Sequence, residues 1–485
     1  MHADSNDALY VKINGVFKLI SPLQWIQSPK FFWTVYAVFS VIWMIYPIGI
    51  YFLGWHNFID IGIQTQPIVN LAVNQQYWNT FFDCHPFANH FRPGLLMFYP
   101  FVRAFPEVPP TLWPVMAKSI AFVSCPLILL RFGRAVLTDQ RWAFALPLFW
   151  MFSDLLMHPI TASSYPTTLV LPVILLAFYW GYRGYYIRLY PMVLVMALFK
   201  ENMPLVGVCL GLFLMIQKRE WRHGLGLFTG SIALGCLIFF VIMPAFGSGS
   251  GPNVFPIRPW GNLDWKLIML IKVYLGIGFL VFLKPHTILY HLPSLAVYFL
   301  VDTGRSWKMY YFTNGHYHDY TMTILFVSAL FAINYFLNGE SWFCRVAANR
   351  QRILGSVLVV AVMIVGITNL PRMLELSDMM PAKRYAQYQS IVSIADKIPK
   401  TATVIATDYS GFLFLNRPRI QKVQAVYTSD ADFIVLPKNA ELAGEHAGEY
   451  ANIQAHIDQK VQAGILMKHP YSTANVDVYS PMSNY

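Results

Sequence analysis

Apolar residues along this chain gather in runs separated by short polar turns and a few long loops. Many of the runs reach about 16 to 23 residues, long enough to cross a bilayer as helices. The pattern predicts spans at 31–53, 112–130, 142–157, 167–182, 189–200, 202–217, 226–245, 267–283, 286–300, 321–337 and 354–370, about eleven in all. The two short runs at 189–200 and 202–217 also fit a re-entrant pair. Residues 1–30 precede the first run and contain "LYVKINGVFKLISPLQWIQSPK", an aromatic and basic stretch suited to a membrane interface. The first run has no small-residue cleavage site and reads as a retained span.

The pattern changes after about residue 372. "RYAQYQSIVSIADKI" is helix-like and stops at Pro399, because proline cannot continue a helix. "TATVIAT", "ADFIVLP" and "VDVYS" are strand-like, and "AELAGEHAGEYANIQAHIDQKVQAG" reads as a second helix. The expected organisation is an interfacial segment 1–30, a transmembrane domain 31–371 with a long first loop 54–111, and a small α/β domain 372–485. The fold class is a polytopic α-helical membrane protein with a C-terminal α/β domain.

Composition agrees. The chain is 56% hydrophobic and only 12% charged, against about 25% charged in soluble domains. Its net charge of +11 points less to nucleic acid than to basic residues gathered at the cytoplasmic membrane surface. With the N-terminus inside, the short inner loops hold Arg131, Arg134, Arg141, Arg183, Arg188, Lys218, Arg219, Arg222, Lys284, Arg345, Arg350 and Arg352. The longer outer loops hold only Arg92, Arg103, Lys200, Arg258, Lys266, Arg305 and Lys308. The expected location is a bacterial cytoplasmic membrane, N-terminus inside, tail extracytoplasmic. Four of the five cysteines lie in or beside apolar spans, so no disulfide framework is implied.

The outer loops carry the candidate chemistry. "FIDIGIQTQ" supplies Asp60, Gln64 and Gln66, and "NTFFDCHPFANHFRPGLLMFYP" supplies Asp83, His85, His90 and Arg92. "SDLLMHPITASSYP" adds Asp154, His158 and Tyr165, "ALFKENMP" adds Lys200 and Glu201, and "GRSWKMYYFTNGHYHDYT" adds His316, Tyr317, His318 and Asp319. Ionisable groups at membrane depth are costly and mark functional cavities. Each group also has a plainer reading. Asp60 can be a helix cap, Lys200 and Glu201 can pair across their turn, and "HPFANH" has the wrong frame for HExxH zinc chemistry. The functional reading rests on their joint occurrence on one side.

"DIGIQTQ", "NHFRPGLLMFYP", "HPI", "FKENMPLVGVCLGLFLM" and "HYHDYT", in that order, resemble a bacterial predicted-membrane-protein family of unknown function grouped with the GT-C glycosyltransferases. The resemblance covers most of the chain. Asn202 departs from it, where an acid is expected after Lys-Glu. The resemblance implies a GT-C-like fold and a sugar donor carried on a polyprenyl phosphate. The resemblance makes Asp60 the expected catalytic base; a departing phosphate needs cations, and His90, Arg92 and Lys200 are the candidates to bind it. Gln64, Gln66, His158, Glu201, His316 and Tyr317 are expected to contact substrate, with Gln64 and Gln66 able instead to orient Asp60. No metal ligand is assigned, and the cofactor stays open, a divalent cation included. Expected partners are the donor lipid, membrane lipids, an acceptor and a possible membrane protein docked on the tail, with no nucleic acid. The alternatives are a flippase or transporter of a lipid-linked saccharide, and a non-catalytic subunit with the same fold.

Overall fold

The computed structural model describes residues 9–13, 16–20, 27–52, 58–81, 84–153, 156, 166–247, 263–277, 279–295, 319–340, 353, 381–407, 410–417, 419–427, 431–438 and 447–484. Among them, four helices are long and apolar enough to cross a membrane: Pro29–Gly49, Leu112–Val136, Trp221–Phe246 and Asp319–Leu337. They correspond to α1 (Pro29–Phe52), α3 (Leu112–Val136), α8 (Trp221–Leu237) and α10 (Asp319–Leu337). Between them lie α2 (Phe58–Asn74), α4 (Ala145–Phe152), α5 (Pro166–Arg183), α6 (Leu189–Ala197), α7 (Pro204–Gln217) and α9 (Leu263–Leu275).

Burial ranks these helices. In α10 83% of the apolar window is buried, against 22% in the first span and 17% in Trp221–Phe246. α10 is therefore the central post, and α1 and α8 face lipid. Within α10, Thr323 and Ser328 hydroxyls donate to the carbonyls of Asp319 and Ile324 one turn back, so neither is left unsatisfied in the apolar core. α1 packs on α3 through Phe39 and Trp43 against Phe122, and Tyr36 donates to the Val123 carbonyl at 3.0 Å.

Two expected spans are broken. In place of one helix over 142–157 there is a 3-10 turn, Gln140–Phe144, and the eight-residue α4, about 12 Å long. Over 267–283, α9 stops at Leu275, Phe279 turns left-handed at φ 55°, and 3-10 turns follow at Leu280–Leu283 and Pro285–Ile288. Gly276 and Pro285 flank that break, a weak helix former and a residue without an N–H. The spans expected at 286–300 and 354–370 lie partly or wholly outside the described residues. The stretch expected at 1–30 to lie in an interface contains an antiparallel hairpin, β1 (Leu9–Ile13) with β2 (Val16–Ile20), in register Ile13 to Val16. The intervening dipeptide is Asn14-Gly15, a strong two-residue hairpin signal.

α7 and α8 form a tight antiparallel pair because glycines line their contact. A methyl on Gly211 would meet the Gly224 carbonyl at 2.7 Å and the Phe228 nitrogen at 2.8 Å. Arg219 makes the turn between the two helices in the left-handed region, φ 54°. α8 continues through a π-turn, Ile238–Ile242, into Met243–Phe246. Pro244 explains the turn, since its ring clashes with the Phe240 carbonyl and supplies no N–H to it.

Residues 381–484 carry a five-stranded sheet, β3 (Thr403–Ala406), β4 (Arg419–Lys422), β5 (Phe433–Pro437), β6 (Leu466–Lys468) and β7 (Val476–Pro481), in spatial order β4-β3-β5-β7-β6. β3 pairs parallel with β4 and β5, and β7 pairs antiparallel with β5 and β6. Alternation along the strands puts Val404, Ala406, Val435 and Val478 on one face, against Ile391 and Ile394 of α11 (Pro381–Lys397). It puts Ile405, Ile434, Leu436 and Tyr479 on the other, against Ile453 and Ile457 of α12 (Ala447–Gln462). Both faces are covered, which is why the central strands read as continuous apolar runs.

Gly211→Val should destabilise the α7–α8 pair by about 1–3 kcal/mol, the usual cost of overpacking. Gly230→Ala, with nothing within 4 Å of its new methyl, should leave the protein unaffected. Thermal unfolding in detergent checks both, and equal midpoints would mean the pair does not depend on its glycines.

Candidate functional site

Two segments far apart in sequence meet at one end of the bundle. The first is the loop after α2, where Pro86–Asn89 is a short helix and Pro93–Phe98 a 3-10 turn. The second is the turn between α6 and α7, which holds Lys200 and Glu201. Gly94 joins them: its N–H donates to the Leu198 carbonyl at 2.7 Å. A methyl there would lie 3.0 Å from that oxygen and from the Phe199 ring, so a larger residue would force these neighbours to give by a few tenths of an ångström. Phe199 also packs with Ile68 and Val69 of α2 and Leu95 and Phe98 of the loop.

This docking brings His90 Nδ1 to 3.0 Å from Glu201 Oε1. Lys200 and Glu201 are buried and His90 is half-buried. Burial works against the Glu201 charge, but His90, Lys200 and Arg92 outweigh it and bring its carboxyl down to about 2. Burial and the Arg92 guanidinium hold His90 below its ordinary value, against the pull of Glu201. Near neutral pH the pair is therefore a carboxylate accepting from a neutral imidazole N–H. Burial lifts the neighbouring Tyr77 phenol to about 12, with Arg92 opposing. His90, Arg92 and Lys200 thus act on one carboxylate. Glu201 does not pair with Lys200 across the turn alone, since its hydrogen-bond partner is 111 residues away.

The other expected residues divide three ways. Asp60 falls in the first turn of α2, not in an irregular loop. Gln64, Thr65 and Gln66 are buried, and Gln66 Oε1 accepts from the Thr80 N–H at 3.2 Å. Gln64 Oε1, Thr65 Oγ1 and Gln66 Nε2 have no hydrogen-bond partner among the described residues, nor does Glu201 Oε2. Asp83, Asp154, His158, Tyr165, His316, Tyr317 and His318 lie outside the described residues. His85 accepts from the Phe87 N–H and stacks on Phe246 at 4.3 Å, which gives it a packing role. Among the described residues no group of three or more histidine, cysteine, aspartate or glutamate side chains could hold a metal ion.

Asp319, a candidate in the sequence without an assigned role, starts α10. Asp319 is fully buried; its carboxylate accepts from the Tyr320 N–H at 2.7 Å and from the Thr168 hydroxyl at 3.4 Å. It also feels the Lys200 charge. Thr167 and Thr168 are buried at the start of α5, so α5 and α10 both begin at this end. The available signal was an acid directly before an apolar run, a helix-start pattern.

The family model described as Predicted membrane protein (DUF2079) matches residues 59–436, and the chain belongs to that family. No curated protein matches it by sequence. It is similar in structure to ArnT from Cupriavidus metallidurans in two states. Against the crystal structure bound to undecaprenyl phosphate, the TM-score is 0.50 at 11% identity, over 93% of this chain and 98% of that one. Against the apo state it is 0.52 at 11% identity, over 94% and 99%. The likeness is one of fold, and it runs nearly the length of both chains, in keeping with the GT-C resemblance of the sequence.

The His90 environment predicts a pH effect. Below about 6.5 the unfolded histidine takes up a proton that the folded one resists, so its contribution to stability is lost as the pH falls from there. Unfolding midpoints measured from pH 7.5 to 5 should decline, and His90→Gln should flatten part of that decline. Parallel curves for the two proteins would remove His90 from the effect.

Proposed function

We propose that this member of the family transfers a sugar from a polyprenyl-phosphate donor to an acceptor at the outer face of the cytoplasmic membrane. The observation that carries the reading is the convergence of Lys200, Arg92 and the His90–Glu201 pair at one bundle end. The ArnT-like fold supports it, since one of those structures holds undecaprenyl phosphate. The opposite end of the helices is basic and aromatic: Arg188 lies over Trp180 and Tyr185, Lys218 over Tyr182, and Lys284 over Tyr335. Such a belt suits the cytoplasmic surface, which leaves the acid-bearing end, and residues 381–484 beside it, outside.

In this reading the bond between the sugar's anomeric carbon and the phosphate oxygen breaks, and a bond to the acceptor oxygen forms. Asp60 takes the acceptor's hydroxyl proton, and the polyprenyl phosphate leaves as an anion. Arg92 and Lys200 stabilise the charge that grows on that phosphate, Arg92 because its planar fork matches phosphate oxygens. Glu201, through His90, orients the loop that carries Arg92, while burial and Arg92 keep His90 neutral, a donor that adds no further cation. Gln64 and Gln66 offer unused amide atoms to sugar hydroxyls. The donor reaches the site from the lipid side. A flippase reading draws on Lys118, buried inside α3, on Lys272 and on His291, buried against Ser328 midway along α10, whereas the His90–Glu201 cluster lies at the helix ends.

With protein in nanodiscs and a labelled polyprenyl-phosphate sugar, Asp60→Asn should lower transfer by about 10²–10⁴ with donor binding retained. Undiminished turnover would remove Asp60 from the mechanism. Lys200→Ala should weaken undecaprenyl phosphate binding by about 1.5–3 kcal/mol, some ten- to a hundredfold in Kd. Unaltered lipid affinity would sink the phosphate role.

A further inference from the structure

Thr80 lies in the loop after α2 and is buried. Its hydroxyl donates to the Ile420 carbonyl at 3.0 Å and accepts from the Ile420 N–H at 3.2 Å. Ile420 belongs to β4, the edge strand of the tail sheet, and its other neighbour is Val404 of β3. A threonine hydroxyl has one hydrogen and two lone pairs, so this single side chain satisfies both outward backbone groups of an edge residue. The Thr80 N–H meanwhile donates to Gln66 Oε1 on α2 at 3.2 Å. The strip holding Thr80 is itself fixed: Asn79 and Cys84 exchange backbone hydrogen bonds at 3.0 and 3.2 Å, and Asn70 Nδ2 of α2 donates to the Trp78 carbonyl at 3.2 Å. Apolar packing closes the joint, with Val115 buried among tail residues and Phe81 against them. Gly411–Phe414, which follows β3, packs on α2.

We propose that Thr80 is a positioning residue through which the tail sheet sets helix α2, the helix that bears Asp60 and Gln66. Its importance for chemistry rests on the reading above, in which α2 supplies the base; the mechanical coupling does not. Valine keeps the shape of threonine and removes the hydroxyl, so only the joint is cut. Serine keeps it.

Hydrogen exchange of the full chain in nanodiscs tests this. Peptides covering 58–74 and 419–422 should exchange about tenfold faster in Thr80→Val, and at the wild-type rate in Thr80→Ser, with Leu112–Val136 unchanged in both. Wild-type exchange in Thr80→Val would overturn the proposal. So would uniform acceleration that includes Leu112–Val136, which would make Thr80 a residue of the whole fold. Sugar transfer by the same variants separates the two ideas: Thr80→Val should lower kcat by more than it raises the donor KM. Local acceleration with normal transfer would uphold the coupling and remove α2 from the reaction.

Discussion

The contact between Gly94 and the Leu198 carbonyl sets the geometry of the candidate site. It is a backbone-to-backbone hydrogen bond of 2.7 Å between segments about a hundred residues apart, and position 94 leaves little room for a side chain. Once closed, it puts His90 on Glu201, Arg92 within electrostatic reach of both, and Phe199 on the apolar face of α2. Ionisable groups beside a bilayer must be paired or solvated. Here each helps to satisfy the next, so the cluster stands or falls together.

The two ends of the helices solve the problem of charge differently. At the basic end the cations rest on aromatic faces, as Lys218 does on Tyr182 at 4.6 Å, and their charge faces outward. At the other end the charges face one another: a carboxylate, an imidazole, a guanidinium and an ammonium share a small volume. The first arrangement suits a surface next to lipid headgroups. The second suits an anion that arrives without its water, since the cations it needs are already desolvated and oriented.

Much of this could be read from the chain, and what could not has physical reasons. The spans at α1, α3, α8 and α10 show as long apolar runs, and the gathering of His90, Arg92, Lys200 and Glu201 at one end follows from their places between runs. The partnership of His90 with Glu201 does not, because no local pattern encodes a contact across 111 residues. α2 looked like a loop because Asp60, Gln64, Thr65, Gln66 and Asn70 interrupt its apolar residues, although Gln64, Thr65, Gln66 and Asn70 are buried. Strands Thr403–Ala406 and Phe433–Pro437 were legible as β-branched runs. Arg419–Lys422 and Leu466–Lys468 were too short and polar to see. The hairpin at β1 and β2 had its signal in Asn14-Gly15, outweighed in the reading by the aromatic and basic residues around it.

The joint at Thr80 has a consequence for how the protein is made. Ile420 follows it by 340 residues. A ribosome adding about 5–20 residues per second needs roughly 17 to 70 s to cover that interval. Through that time Thr80, and Val115 of α3, lack the tail residues that cover them, while helix after helix is inserted behind them. The sheet that will cover them has its own delay, since β7 lies between β5 and β6 in space but follows both in sequence. The loop after α2 is thus among the last parts of the chain to reach its final form, although the His90–Glu201 contact needs no residue beyond 201.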